Sequence, residues 1–307
     1  MTICCHRAGH LLSHGLCAVL LYATCVATVM AAPFELPPLV TPASAEHHVG
    51  KVIWVELVTP DLAGAKAFYS GLFGWTFQGL QGGKADFAVA LLDGRPVAGL
   101  LQRAVPAGEQ RQPAWRGFIA VRDVDAAKAI ALAHGAKVVF EPKTYPQRGR
   151  QAVLADPEGA VFAILASTSG DPADVLAGPG EWIWSSLHVQ NPDTDAAFYQ
   201  TIFGYKVFDV PSEDGKKHVI LLTEDYARAS VNPLPGDSSH RLPHWLNYVR
   251  VVDAAGAAAK AVALGGRVLV EPHVDRHGGN VAIVADPTGA PFGLMEWSET
   301  DTKKESK

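Results

Sequence analysis

One motif occurs twice, and it limits what the chain can become. Ile53–Gly74 reads IWVELVTPDLAGAKAFYSGLFG, and Ile183–Gly204 reads IWSSLHVQNPDTDAAFYQTIFG, 130 positions later. Each copy has the pattern of a strand running into an amphipathic helix that stops at Phe-Gly. The similarity continues downstream. Leu91-Leu92 returns as Leu221-Leu222, Trp115 as Trp245, Glu141-Pro142 as Glu271-Pro272, and Gly149 as Gly279. Ala155-Asp156-Pro157 with Gly159-Ala160 returns as Ala285-Asp286-Pro287 with Gly289-Ala290. The period is far longer than a solenoid unit and matches a whole domain, so the chain is expected to contain two similar domains, each with its own core.

Within a repeat the pattern doubles again. Val52–Val58 alternates as a strand, with Trp54, Glu56 and Val58 on one face and Val55 and Leu57 on the other. Asp61 is placed to cap a helix whose apolar face is Leu62, Ala65, Phe68, Tyr69 and Leu72. Short strands follow at Trp75–Leu80, Phe87–Leu92 and Pro96–Leu101, with Asp93-Gly94 as a hairpin signal. The same order then recurs: strand Trp115–Val121, helix Val124–His134, and strands Lys137–Glu141, Arg150–Ala155 and Val161–Ala166. The second repeat places helices near Asp193–Phe203 and Asp253–Leu264, a first strand at Trp182–Val189 and a closing strand at Phe292–Trp297. Each repeat, about 115 residues long, is thus β-α-β-β-β twice over.

Composition narrows the function. Net charge is −5 with no long basic run, which removes the electrostatic footprint of a nucleic-acid binder. The four cysteines, Cys4, Cys5, Cys17 and Cys25, all precede residue 26. Leu11–Met30 is apolar, follows Arg7, and leads to the small residues of Val29-Met30-Ala31-Ala32, the pattern of a secretory signal peptide, with an uncleaved membrane anchor as the alternative. Removal of that leader leaves no thiol, and so no disulfide, thiolate zinc site or cysteine nucleophile. The expected divisions are a signal peptide (1–32), a Pro-rich linker (33–50), a first domain (51–168), a linker (169–180), a second domain (181–299) and a polar tail (300–307). Pro33, Pro37, Pro38 and Pro42 give the first linker the character of an extended tether that buries little, with His47-His48 as a solvated pair.

Paired β-α-β-β-β units, Ala-Phe-Tyr-x3-Phe-Gly on the first helix and Asp-Pro-x-Gly before the last strand resemble the vicinal oxygen chelate superfamily, which includes glyoxalase I, bleomycin-resistance proteins and extradiol dioxygenases. The resemblance covers roughly Val49–Glu299 and is nearest to tandem glyoxalase-like proteins. It implies an α+β fold of two tandem domains, each with curved mixed sheets around a cleft. It also implies a divalent metal in the cleft of the enzymes, held by His, Gln or Glu from the first and last strands of each unit.

Carried onto this chain, the first-strand position falls on Trp54 and Trp184, and its counterpart in each second unit on Arg116 and Leu246. The closing-strand carboxylate falls on Ala163 and Gly293, while Val97–Leu101 and Ala227–Val231 contain neither carboxylate nor imidazole. Trp54 and Trp184 are therefore expected either to fill a disused metal site or to wall a ligand cleft by stacking. Glu56 is either a base in that cleft or a structural partner of Arg116. His188 shares a face with Trp184. With His218, His240, His244, His273, His277 and Glu296 it offers a noncanonical metal site, against which stands an ordinary surface or hydrogen-bonding role. Tyr248 and Asn247 are either ligand donors or packed side chains, and the loops Arg148-Gly149-Arg150 and His277-Gly278-Gly279-Asn280 occupy matching places.

The expectation is an exported small-molecule-binding protein with no cofactor, lined by Trp54, Glu56, Arg116, Trp184, His188 and Tyr248. Its partner is a small organic ligand, not nucleic acid and, once the leader is gone, not a membrane. The two domains are expected to pair within the chain, and homodimerisation is left open. The alternatives are a metal-dependent lyase, isomerase or dioxygenase using displaced ligands such as Glu56 or His188, and a purely structural scaffold.

Overall fold

The computed structural model describes residues 35–80, 86–104, 113–211, 217–234, 242–275 and 278–297. The leader, with its cysteines and cleavage pattern, and the polar tail lie outside the described residues, as do His240 and His277. No described helix is long and apolar enough to cross a membrane.

The first repeat runs β1 (Val52–Thr59), α1 (Leu62–Phe73), β2 (Thr76–Leu80), β3 (Phe87–Leu92), β4 (Arg95–Gln102), β5 (Ala114–Ala120), α2 (Val124–Ala133), β6 (Lys137–Tyr145), β7 (Gly149–Ala155) and β8 (Val161–Ser167). The second runs β9 (Trp182–Val189), α3 (Pro192–Phe203), β10 (Lys206–Val210), β11 (His218–Thr223), β12 (Tyr226–Pro233), β13 (His244–Val251), α4 (Ala254–Ala263), β14 (Arg267–Val274), β15 (Asn280–Ala285) and β16 (Pro291–Glu296). Each repeat makes one eight-stranded mixed sheet, ordered β2-β3-β4-β1-β5-β8-β7-β6 and β10-β11-β12-β9-β13-β16-β15-β14. In the first sheet β1 and β5 lie antiparallel at the centre, and each is flanked by a parallel closing strand, β4 or β8. The copies are not in perfect register: β11 and β12 begin one residue later, relative to β3 and β4, than β9 does relative to β1. The structural counterpart of Gly99 is therefore Ser230.

Local chemistry sets the element ends. The Asp61 carboxylate accepts from the Gly64 amide at the start of α1, and Gly74 closes that helix in the left-handed region at φ 75°. The Asp93-Gly94 hairpin uses positive φ at both residues, as its sequence predicts, and Glu224-Asp225 makes the matching turn without a glycine. Asn191 makes no side-chain cap on α3. Instead, Glu158 of the other repeat accepts from the Gln190 and Asn191 amides.

The cores depart from the expected one per domain. One core joins α1 and β1 of the first repeat (Leu57, Phe68, Tyr69) to α4, β15 and β16 of the second (Ala258, Val284, Phe292). Another joins α2, β7 and β8 (Ala131, Leu154, Phe162) to α3, β9 and β11 (Tyr199, Leu187, Leu221). Each helix thus buries its apolar stripe against the partner repeat as well as its own sheet, so the two repeats form one compact unit.

The opposite faces of the sheets form two clefts. A register irregularity between Val52 and Trp54 turns Ile53 as well as Trp54 into the first cleft. The expectation of a tether that buries little fails here. Leu36 and Leu39 are buried against Trp54, Phe87, Phe118 and Leu165. Two leucines among four prolines supply enough apolar area to hold the segment in place.

Candidate functional site

The six expected site residues divide between two clefts. In the first, β1 presents Trp54 and Glu56, and β5 presents Arg116 directly across from Glu56 in the ladder. Burial raises the pKa of Glu56, and the charge of Arg148 opposes that rise more than the charge of Arg116 does. Glu56 thus faces two guanidinium groups, that of Arg116, which strand pairing leads one to expect, and that of Arg148 from the loop before β7. In the structure the Arg148 guanidinium lies 4.2 Å over the Trp54 ring, and its Nε donates to the Pro37 carbonyl at 2.7 Å. Burial pulls its pKa down to about 10. The next residue, Gly149, lets the loop run tight against β8: φ is +119°, and a Cβ there would stand 2.0 Å from the Ala166 carbonyl oxygen. With Leu36 and Leu39 seated on top, the first cleft is closed.

The second cleft has a polar floor. Trp184 and His188 alternate along β9 with Ser186 between them. Trp184 Nε1 donates to Ser230 Oγ at 3.2 Å, and Ser186 and Ser230 are joined at 2.8 Å. Asn232 donates to the same Ser230 oxygen at 3.0 Å and meets His218 Nδ1 at 2.9 Å. The His188 and His244 rings stack at 5.2 Å. His188 Nε2 is buried without a hydrogen-bond partner, and burial, helped by His244 and His218, drives its pKa down to about 4. Tyr248 is buried, with its phenol pushed up to about 12 by desolvation. Its ring lies over Gly293, where a Cβ would stand 2.0 Å from the ring.

Beside this floor a groove of about 280 Å³ opens, lined by Trp184, Tyr226, Arg228, Trp297, Val175 and Leu176. Trp184 belongs to both floor and groove. The Trp297 Nε1 is buried without a partner, and Arg228 sits 5.1 Å over the Tyr226 ring. Trp297 and Tyr226 carried no periodic signal of their own, because their place comes from strand ends that meet only in three dimensions.

Other expected participants sit elsewhere. Asn247 faces the inter-repeat core, where it accepts from Ser185 Oγ at 2.8 Å. Glu296 accepts from the Ala254 amide at the start of α4 and from Asn280, so it does not join the histidines. His273 is exposed and bonded to the Glu271 carbonyl.

The residues present do not suit the divalent metal that the resemblance implies. Trp54, Arg116 and Ala163 occupy the first cleft's ligand positions, and Trp184, Leu246 and Gly293 the second's, where the Tyr248 ring fills the space of any side chain at Gly293. Among the described residues, one group brings three candidate ligand atoms together: His48, Asp174 and Glu224, with Asp174 at the wall of the groove. His47-His48 was expected to be solvated, yet His48 bonds Glu224 at 2.9 Å, and the neighbouring carboxylates raise its pKa despite partial desolvation. Arg228 grips Asp174 through two nitrogens at 2.6 and 2.9 Å, and Lys51 reaches it at 2.8 Å, which takes its pKa down to about 2. Two cations already neutralise those oxygens, so the group acts as an ion-pair clamp between the N-terminal segment, the inter-repeat linker and the β11–β12 turn.

Comparison with known proteins agrees with this architecture. Residues 48–164 match the family described as Glyoxalase/Bleomycin resistance protein/Dioxygenase superfamily, and residues 184–295 match a Glyoxalase-like domain. The chain is 32% identical over 259 residues to "Putative glyoxylase CFP32" of Mycobacterium tuberculosis, covering 83% of this chain and 98% of that protein. It is 32% identical over 265 residues to the anthracycline biosynthesis protein DauV of Streptomyces sp. strain C5, covering 81% and 94%. Among solved structures, the Mn(II)-bound glyoxalase from Novosphingobium aromaticivorans superposes with a TM-score of 0.55 at 20% identity, covering 81% of this chain and 83% of that one.

Proposed function

The chain belongs to the glyoxalase/bleomycin resistance protein/dioxygenase superfamily, and from that premise we propose that it binds a small organic molecule in the second repeat's cleft without a metal. One observation carries this reading: the positions suited to metal ligands hold tryptophan, arginine, leucine, alanine and glycine, while the second cleft keeps an open aromatic groove beside a hydrogen-bonding floor. A flat apolar ligand would stack against Trp184 and Trp297. A polar group on it would meet Trp297 Nε1, which is buried without a partner on a residue that lines the groove. The relatives named for anthracycline biosynthesis direct the ligand search toward small organic metabolites. The protein is exported, its leader removed before it meets that ligand.

The test is a calorimetric and thermal-shift screen of flat aromatic compounds against the purified protein and Trp184→Ala. A hit that weakens roughly tenfold or more in the variant supports the reading. A complete absence of hits, together with a metal retained at one equivalent per chain, sinks it. N-terminal sequencing of the protein from culture medium or periplasm tests export, and an intact leader on the isolated protein contradicts it.

A metal-dependent lyase, isomerase or dioxygenase is the alternative, favoured by one observation: His188 and His244 stack in the same cleft that holds His218. Under that reading, bound metal and turnover both disappear in His188→Ala.

A further inference from the structure

The first cleft holds a feature that closure alone does not explain. Residues 35–44 cross it as an irregular strap, outside both sheets. The strap is held by the Leu39 and Val40 amides on Ser169 Oγ at 2.9 and 3.2 Å, and by the Ser44 amide on the Ser169 carbonyl at 2.8 Å. Arg148 Nε bonds the Pro37 carbonyl, and Leu36 and Leu39 fill the apolar space over Trp54 and Phe118. Yet Arg148 Nη2 is buried without a partner on a residue only 1% exposed. Trp54 Nε1 lacks the serine acceptor that Ser230 gives Trp184 in the other repeat, because Gly99 stands in its place, and it faces the Glu56 carboxylate instead. Glu56 answers the charge of Arg148 but makes no hydrogen bond to Nη2, and buried donors are nearly always satisfied, so Nη2 marks a place for a further acceptor.

We propose that the first cleft is a second ligand site, specific for apolar carboxylates, and that the strap is its displaceable internal occupant. The Pro37 carbonyl stands where one carboxylate oxygen would bind, and Leu36 and Leu39 stand where the apolar body would lie. A carboxylate presents two parallel acceptors to the guanidinium fork, so it takes over the Nε bond and also satisfies Nη2, which a single backbone carbonyl cannot do. The Trp54 ring, already stacked on that guanidinium, walls the site. Apparent affinity falls by the fraction of molecules with the strap closed, so loosening the strap strengthens binding. The proposal concerns the first cleft alone and does not depend on the second.

The probe is naphthalene-2-carboxylate, with naphthalene-2-carboxamide as the uncharged control, titrated calorimetrically into the full chain carrying Trp184→Ala to remove the other groove. Adding Leu36→Ser and Leu39→Ser should tighten carboxylate binding by roughly tenfold or more, and Arg148→Met on that background should abolish the gain. No saturable binding to the strap variant overturns the proposal. Binding indifferent to Arg148, or equal for acid and amide, does the same. If the strap variant fails to fold, hydrogen exchange on the unmodified chain decides: saturating carboxylate should accelerate exchange at the Leu39, Val40 and Ser44 amides, and unchanged protection overturns the proposal.

Discussion

The Tyr199 hydroxyl donates to Asp156 Oδ2 across 2.9 Å, joining the first helix of the second repeat to the Asp-Pro-x-Gly turn of the first. Tyr69 repeats the contact with Asp286 at 3.1 Å in the opposite sense. Trp245 and Trp115 donate their indole N–H groups to the two tyrosine oxygens at 2.9 and 2.8 Å. Three separately repeated sequence features thus meet as a Trp-Tyr-Asp chain, and each chain crosses between repeats. The aspartates' other oxygens hold their own turns through the Gly159 and Ala160 amides and through Thr288 and Ala290.

Tyr199→Phe removes one hydroxyl and strands both the Asp156 oxygen and the Trp245 N–H. Asp156 is buried and Trp245 is partly buried, so the expected loss is about 1–3 kcal/mol. Because each lock and each core spans both repeats, urea should unfold wild type and variant in one transition, followed by circular dichroism and tryptophan fluorescence together. Two resolved transitions contradict this account.

Asp195 is 1% exposed, and its Oδ2 has no hydrogen-bond partner. Burial first, then the charges of Asp156 and Glu158, raise its pKa to about 8. Its folded pKa is above the unfolded value, so its contribution favours the fold below about pH 4 and is lost as pH rises to about 8. The first repeat has Ala65 at the equivalent position. Asp195→Ala should therefore raise stability at pH 9 by at least about 1 kcal/mol and little at pH 4, read from urea midpoints. A variant less stable than wild type at pH 9 refutes it.

His188 titrates the other way. Its pKa of about 4 lies below the ordinary histidine value, so the unfolded chain takes up the proton first. The stability it contributes is complete above about pH 6.5 and is lost as pH falls toward 4. His188→Gln should flatten that part of the stability curve. In NMR titrations its imidazole should stay neutral at pH 5.5, and a midpoint near 6.5 rules this out.

Gly293 is needed because the Tyr248 ring occupies the space of a side chain there. Gly293→Ala should cost about 1–3 kcal/mol by overpacking, and Tyr248→Ala in the same chain should recover part of it. Additive losses in this double-mutant cycle would mean that the two residues are not coupled.

The sequence alone determined the elements and their duplication. Strand alternation, helical spacing and capping residues are local, and Val52–Thr59, Leu62–Phe73 and the Asp93-Gly94 turn appear where those patterns place them. It also determined the face taken by Trp54 and Glu56 through the strand's two-residue period, but not that of Ile53, which a register irregularity turns into the same cleft. Only the tertiary structure decided that the cores are shared between repeats, that Arg148 joins Arg116 beside Glu56, and that Leu36 and Leu39 close one cleft while the other stays open. The physical reason is range. Periodicity reports only which face of an element is apolar, whereas the surface that covers that face is chosen by shape and burial among segments distant along the chain.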